Sequence, residues 1–228
     1  MKSLRHWLRR VVVPGQQAIG ASLGPVSRSF GLDRGLPIDR WYIEQFLASQ
    51  QDRVRGSVLE VGDATYTRRF GGMRVTESHV LHAVPGNSQA TVIGDLSSGE
   101  GIPTAAYDTL VLTQVLPFIY DIHGAVRTLH RCLRPGGAAL LTVNGICQVS
   151  RYDMDRWGDF WRFTDRSMSR LLGEAFPVDA ITIATHGNAL AASAFLYGLA
   201  SAELSEPDLL FHDPDYQVLI TAVVVKPG

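Results

Sequence analysis

At 228 residues and 46% hydrophobic content the chain has enough apolar surface for one well-buried domain, and no shift of composition divides it. A formal net charge of −1 excludes a global electrostatic case for nucleic-acid binding. The two cysteines, Cys132 and Cys147, lack metal-ligand spacing and read as reduced core thiols, as expected of a cytoplasmic protein.

The first predicted element is "SLRHWLRRVVV". It puts Leu4, Trp7, Leu8, Val11 and Val12 on one side of a helix and Arg5, Arg9 and Arg10 on the other. A short helix packed on the domain is the favoured reading; a membrane-surface or partner helix over residues 1–13 is the alternative. Residues 14–37 are rich in Gly, Pro and Ser and are expected to form a loop-rich arm, so that 1–37 precedes a main domain over 38–228. "PIDRWYIEQFLASQ" reads as a helix with Ile43, Phe46 and Leu47 inward.

An alternation follows. The predicted strands are "SVLEVG", "SHVLHAV", "ATVIGD", "YDTLVLTQ", "AALLTVNG", "DAITIATHG" and "YQVLITAVVVK". "DIHGAVRTLHRCL", "DRSMSRLLGEAF" and "ALAASAFLYGLASAEL" are the intervening helices, and "RPGG" is expected to stop the first of them with a left-handed glycine cap. This order predicts an α/β fold, a mostly parallel sheet with helices on both faces. Ligands in such sheets bind beyond the carboxyl ends of the strands. That rule selects Gly62 and Asp63, Asp95 and Leu96, Gln114, Asn144 and Gly145, and His186 to Asn188.

The ordered stretches "VLEVGD", "GDL", "YDTLVLTQVLPFIYDIHGAVRTLHRCLRPGGAALLTV" and "FWRFTDRSMSRLLGEAF" resemble the class I S-adenosylmethionine-dependent methyltransferases over roughly residues 56 to 225. The resemblance implies a three-layer, Rossmann-like sheet of seven strands, mostly parallel with the last antiparallel. It also implies S-adenosylmethionine as cofactor. The family's first loop reads acid-x-Gly-x-Gly-x-Gly. Glu60 and Gly62 match its start, whereas Ala64 and Tyr66 replace the second and third glycines. Tyr66 must point away, stack on the ligand or fill its place. The family's strand-two acid, which binds the ribose hydroxyls, falls near Ala83 or Val84; Glu77 serves only if that strand ends early, and His79 is the other polar candidate. Asp95 matches the acid that accepts the adenine amino group, and Leu96 offers its amide to the same ring. Asp95 read without the resemblance is equally a turn or helix cap. Glu60, Gly62, Asp63, Tyr66, Asp95, Leu96 and Gln114 form the expected cofactor set.

Acceptor chemistry is expected after strands four to six. His186, at a strand end, has the ordinary pKa of a base, though a histidine in a polar turn reads as well. "SRYDMDRWGDFWRFTD" is expected to be an aromatic lid over 148–165. Its Tyr152 and Asp153 join His186 as catalytic candidates, and its rings suit a sugar or a ring-bearing metabolite. "HDPDY" reads as a turn rather than a metal site. The leading expectation is methyl transfer to a small-molecule hydroxyl. The rival is the same fold without methyl transfer, motivated by Ala64, Tyr66 and the missing acid.

Overall fold

The computed structural model describes residue 19 and residues 22–228. The N-terminal helix expected over 1–13 lies outside the described residues. Seven strands form one sheet: β1 (Gly56–Val61), β2 (Val75–His82), β3 (Val92–Ile93), β4 (Tyr107–Thr113), β5 (Leu133–Asn144), β6 (Ile181–His186) and β7 (Leu219–Val225). Their order is β3-β2-β1-β4-β5-β7-β6. The pairs among β1 to β5 are parallel, and β7 runs antiparallel to both β5 and β6. The expected seven-stranded Rossmann-like sheet is therefore present, with its last strand reversed.

Consecutive strand residues point to opposite faces, so a strand buried on both sides carries an unbroken apolar run. In β4, Leu110 and Leu112 enter one core and Val111 the other. In β5, Ala139 and Leu141 join the first core, while Leu140 between them faces the second. On one face lie α2 (Ile122–Cys132) and α4 (Asp165–Leu172), anchored by Leu129, Met168 and Leu172. On the other lie α1 (Ile38–Ser49), α5 (Ala189–Tyr197) and α6 (Glu206–Leu210), anchored by Ile38, Leu47 and Phe195. The helix expected over 189–204 stops at Tyr197, with Gly198 as its cap. A single-turn helix, α3 (Arg151–Met154), lies in the lid segment.

Two local expectations are corrected. β3 pairs over only two residues, Leu81 with Val92 and His82 with Ile93, as a short edge strand. "RPGG" does not cap α2. Leu133, the residue after the helix, is already extended (φ −68°, ψ 140°) and pairs with Tyr107 in β4. The left-handed residue, Gly136 (φ 76°), instead bends the entry of β5 and donates its amide to the Lys226 carbonyl at 2.8 Å.

Candidate active site

Strand β1 has β2 on one side and β4 on the other, so the chain's connections from the middle of the sheet run in opposite directions there. Such a switch point opens a crevice at the carboxyl ends of the strands. Here it is a cleft of about 640 Å³, walled by Val61, Leu81, Ala83, Asp95, Leu96 and Gln114 and roofed by Trp157 and Phe160.

The first loop folds around Glu60. This side chain is buried, and its two oxygens accept the amides of Tyr66 (3.1 Å) and Thr67 (2.7 Å), the start of the short helical segment Thr67–Gly71. Burial pushes its carboxyl above the usual range, against these donors. Glu60 thus holds the loop. Gly62 follows with φ 90°, and a Cβ built there meets nothing within 4 Å, so the backbone faces open room. Asp63 is spent on a turn, its Oδ1 accepting the Thr65 amide at 2.7 Å. Tyr66 does not line the large cleft; it packs against Phe70 (centroids 6.0 Å apart) in the core beneath α1 and borders a smaller cavity.

The end of β2 carries no acid. Ala83 lines the cleft and Val84 is exposed. β2 runs on to His82, so Glu77 sits mid-strand, opposite Ser57, with His79 Nε2 3.5 Å from its carboxylate. Neither reaches the cleft. His82 occupies the strand end instead, its ring edge-on to Trp157 at 5.6 Å.

Asp95 sits at the cleft and is also a turn cap. Its Oδ1 accepts the amide and hydroxyl of Ser97 (2.8 and 2.7 Å), and its Oδ2 the hydroxyls of Ser97 (2.7 Å) and Ser98 (3.1 Å). Partial burial raises its pKa, but these donors outweigh it and hold the carboxyl below the usual range. Both readings of Asp95 are thus compatible in one place, because serine hydroxyls can rotate to free an acceptor site.

Gln114 is the most constrained residue of the site. It is one of three non-glycine residues with positive φ among those described (58°). Its amide donates to Thr142 O at 2.9 Å and its Nε2 to Asn144 Oδ1 at 2.8 Å, while Oε1 is buried with no partner. Backbone strain and an orphaned buried acceptor each cost free energy and tend to gather at functional positions. Gln114 is also a wall shared between the cleft and a second, smaller cavity of about 250 Å³.

That second cavity lies between the start of α1, the first loop and the lid. It contains Asp39, Arg40, Tyr66, Asn144, Ser150 and Asp153. Asp39 was not singled out by sequence, since an acid in the first turn of a helix is ordinarily an exposed charge matched to the helix dipole. Here it is only 9% exposed, and burial pushes its pKa up to about 6. Asp153 borders the same cavity, with its Oδ2 accepting the Ser150 hydroxyl at 2.5 Å.

The other two catalytic candidates stand elsewhere. Tyr152 is two-thirds exposed, and one face of its ring is covered by the Arg156 guanidinium at 3.5 Å. His186 ends β6, which is separated from β5 by β7. It lines a different cavity with Trp41, Tyr42 and His212, and its Nε2 lies 3.1 Å from Thr221 Oγ1. Burial, then the nearby His212, lowers its pKa.

The lid divides its aromatics between two tasks. Phe163 enters the core, and Trp161 donates its Nε1 to Ile119 O at 3.0 Å. Phe160 meets Tyr120 edge-on at 5.3 Å, and with Trp157 it faces the cleft. Arg162 clamps Asp159 with both nitrogens (2.5 and 2.9 Å), and Asp159 also accepts the Ser150 amide.

The model of a methyltransferase-domain family matches residues 73–141, from the approach to β2 into β5. No curated protein matches the chain. Among solved structures, an S-adenosylmethionine-dependent methyltransferase from Mesorhizobium loti is similar at a TM-score of 0.53 and 14% identity, over 86% of this chain and 100% of that one. A phosphoethanolamine N-methyltransferase 2 from Haemonchus contortus, in complex with phosphomonomethylethanolamine and S-adenosylhomocysteine, aligns at 0.51 and 13% identity, over 89% of this chain and 61% of that one. At these identities the likeness is one of fold. The chain therefore has the fold of these S-adenosylmethionine-dependent methyltransferases, and its residues 73–141 match a methyltransferase-domain family.

Proposed function

We propose that this protein carries a methyl group from S-adenosylmethionine to a hydroxyl of a small molecule. The cofactor would occupy the large cleft and the acceptor the smaller cavity. The observation that carries this reading is Gln114, an orphaned buried acceptor on a strained backbone in the wall between the two. A reaction between two bound molecules needs two adjoining compartments, because alignment of the reacting atoms supplies much of the rate.

The residues fit the cofactor at two ends. Asp95 and Leu96 offer an acceptor and a backbone edge for a purine. Gly62 leaves open space where a side chain would otherwise stand. When bound, the cofactor supplies a methyl group on a positively charged sulfur. Trp157 and Phe160 cover the cleft and would exclude water from it. A cytoplasmic setting agrees with the two free thiols.

Calorimetry with S-adenosylmethionine and S-adenosylhomocysteine tests the reading. Saturable binding of both is expected, and no binding of either at millimolar concentration would end it. The acid-free end of β2 favours one second reading, a cleft that binds its nucleoside without transferring the methyl. Tight S-adenosylhomocysteine binding with no transfer to any of a broad panel of alcohols and phenols would select that reading.

A further inference from the structure

The smaller cavity holds a carboxyl that the fold itself does not need there. Asp39 is the second residue of α1, and its Oδ1 accepts the Arg40 amide at 2.8 Å. A carboxylate on the outside of that first turn would serve the helix equally well. Instead the arm from residue 22 to 37 and the lid enclose it, and no ion pair among the described residues includes it. Its titratable and charged neighbours come from several elements: Arg40 on α1, Tyr66 in the first loop, Cys147 after β5 and Asp153 in the lid. A buried carboxyl without an ion-pair partner lowers stability, and such groups cluster where a proton must be moved. Burial places its pKa at about 6, near the optimum for a base working at neutral pH.

The rest of the cavity narrows the acceptor. Gln114 Oε1 is a second acceptor without a partner, and Asn144 is already engaged by Gln114 Nε2. The remaining walls mix apolar side chains, Phe30, Leu32, Pro37, Ile43 and Phe118, with Arg40, Tyr66, Ser150 and Asp153. A volume of about 250 Å³ fits a compact molecule or the end of a longer one.

We infer that Asp39 is the residue that takes the proton from the acceptor hydroxyl, and that the acceptor is a compact alcohol or phenol. This rests on the methyl-transfer reading. As the acceptor oxygen bonds to the methyl carbon, the carbon–sulfur bond breaks with its electron pair left on sulfur. The hydroxyl proton passes to Asp39 Oδ2 and from there to solvent.

The test uses the full chain with carboxyl-13C aspartate, S-adenosylhomocysteine and phenol as the probe. The Asp39 carbon signal, assigned through its own backbone, is followed by NMR as phenol is added, first to the free protein and then to its complex. Movement of that signal is expected. Asp39→Asn should weaken phenol binding on the order of tenfold, the loss of one hydrogen bond to a charged group, and leave calorimetric S-adenosylhomocysteine affinity unchanged. An unmoved Asp39 signal at saturating phenol, or equal phenol affinity in Asp39→Asn, overturns the inference. If S-adenosylhomocysteine binds neither protein, the methyl-transfer reading falls, while the phenol titration of the free protein still decides whether Asp39 faces a hydroxyl.

Discussion

Replacing Asp39 by asparagine should make the protein more stable at neutral pH, and only there. Burial raises the Asp39 pKa from 3.8 to about 6, so the folded chain holds this proton more tightly than the unfolded chain. Between those two values the native state binds more protons, and stability therefore falls as pH rises from about 4 to about 6. The loss is complete about one unit above the folded pKa, near pH 7. A difference of roughly two pKa units is about 3 kcal/mol at 1.36 kcal/mol per unit, an upper bound because water can enter an open cavity. Asparagine keeps the shape and the acceptor for the Arg40 amide but carries no charge. Relative to wild type, the variant should gain up to about 3 kcal/mol at pH 7.5 and almost nothing at pH 4. For a chain of this size that is roughly 6–12 °C in Tm. Paired thermal melts of wild type and variant from pH 4 to 8 measure it, since all other titrating groups cancel in the difference. An asparagine variant that is less stable at pH 7.5, or a difference that does not change with pH, would refute the claim that burial opposes this charge.

The remaining predictions concern the cleft and its lid. Asp95→Ala should weaken S-adenosylhomocysteine ten- to a hundredfold, from about 1.5–3 kcal/mol for a hydrogen bond to a charged acceptor. It should also lower stability by about 1 kcal/mol, because the carboxylate orders Ser97 and Ser98. Calorimetry reads the first effect, and unchanged affinity reduces Asp95 to its turn. Gln114→Met removes the orphaned Oε1 and the bond to Asn144 while keeping volume, so Tm should change little while methyl transfer falls; a large drop in Tm with full activity would make Gln114 structural. Arg162→Met strands the Asp159 carboxylate, whose side chain is 2% exposed, and should cost about 3 kcal/mol with faster proteolysis inside 148–165. An unchanged cleavage rate would show that the clamp does not hold the lid.

Alternation and turn chemistry made the sheet readable in the sequence. β1, β4 and β5 carry apolar runs, and their residues serve two cores in turn. α1, α2 and α4 showed their apolar faces, and the strand-end rule pointed to Asp95, Leu96 and Gln114, which do share the cleft. These features depend on residues a few positions apart, and so they could be read without coordinates. Packing settled what depends on distant segments. His186 has the right residue type at the right kind of strand end, yet β7 inserts between β5 and β6 and puts it three strand spacings from β4, roughly 14 Å. Tyr66 could stack on a ligand or leave it, and the core beneath α1 took its ring. Asp39 reads as an ordinary first-turn acid until the arm, the first loop and the lid close around it. Burial is set by what packs on a residue from elsewhere in the chain, and burial is what turns this carboxylate from a helix-end charge into a group able to hold a proton near neutral pH.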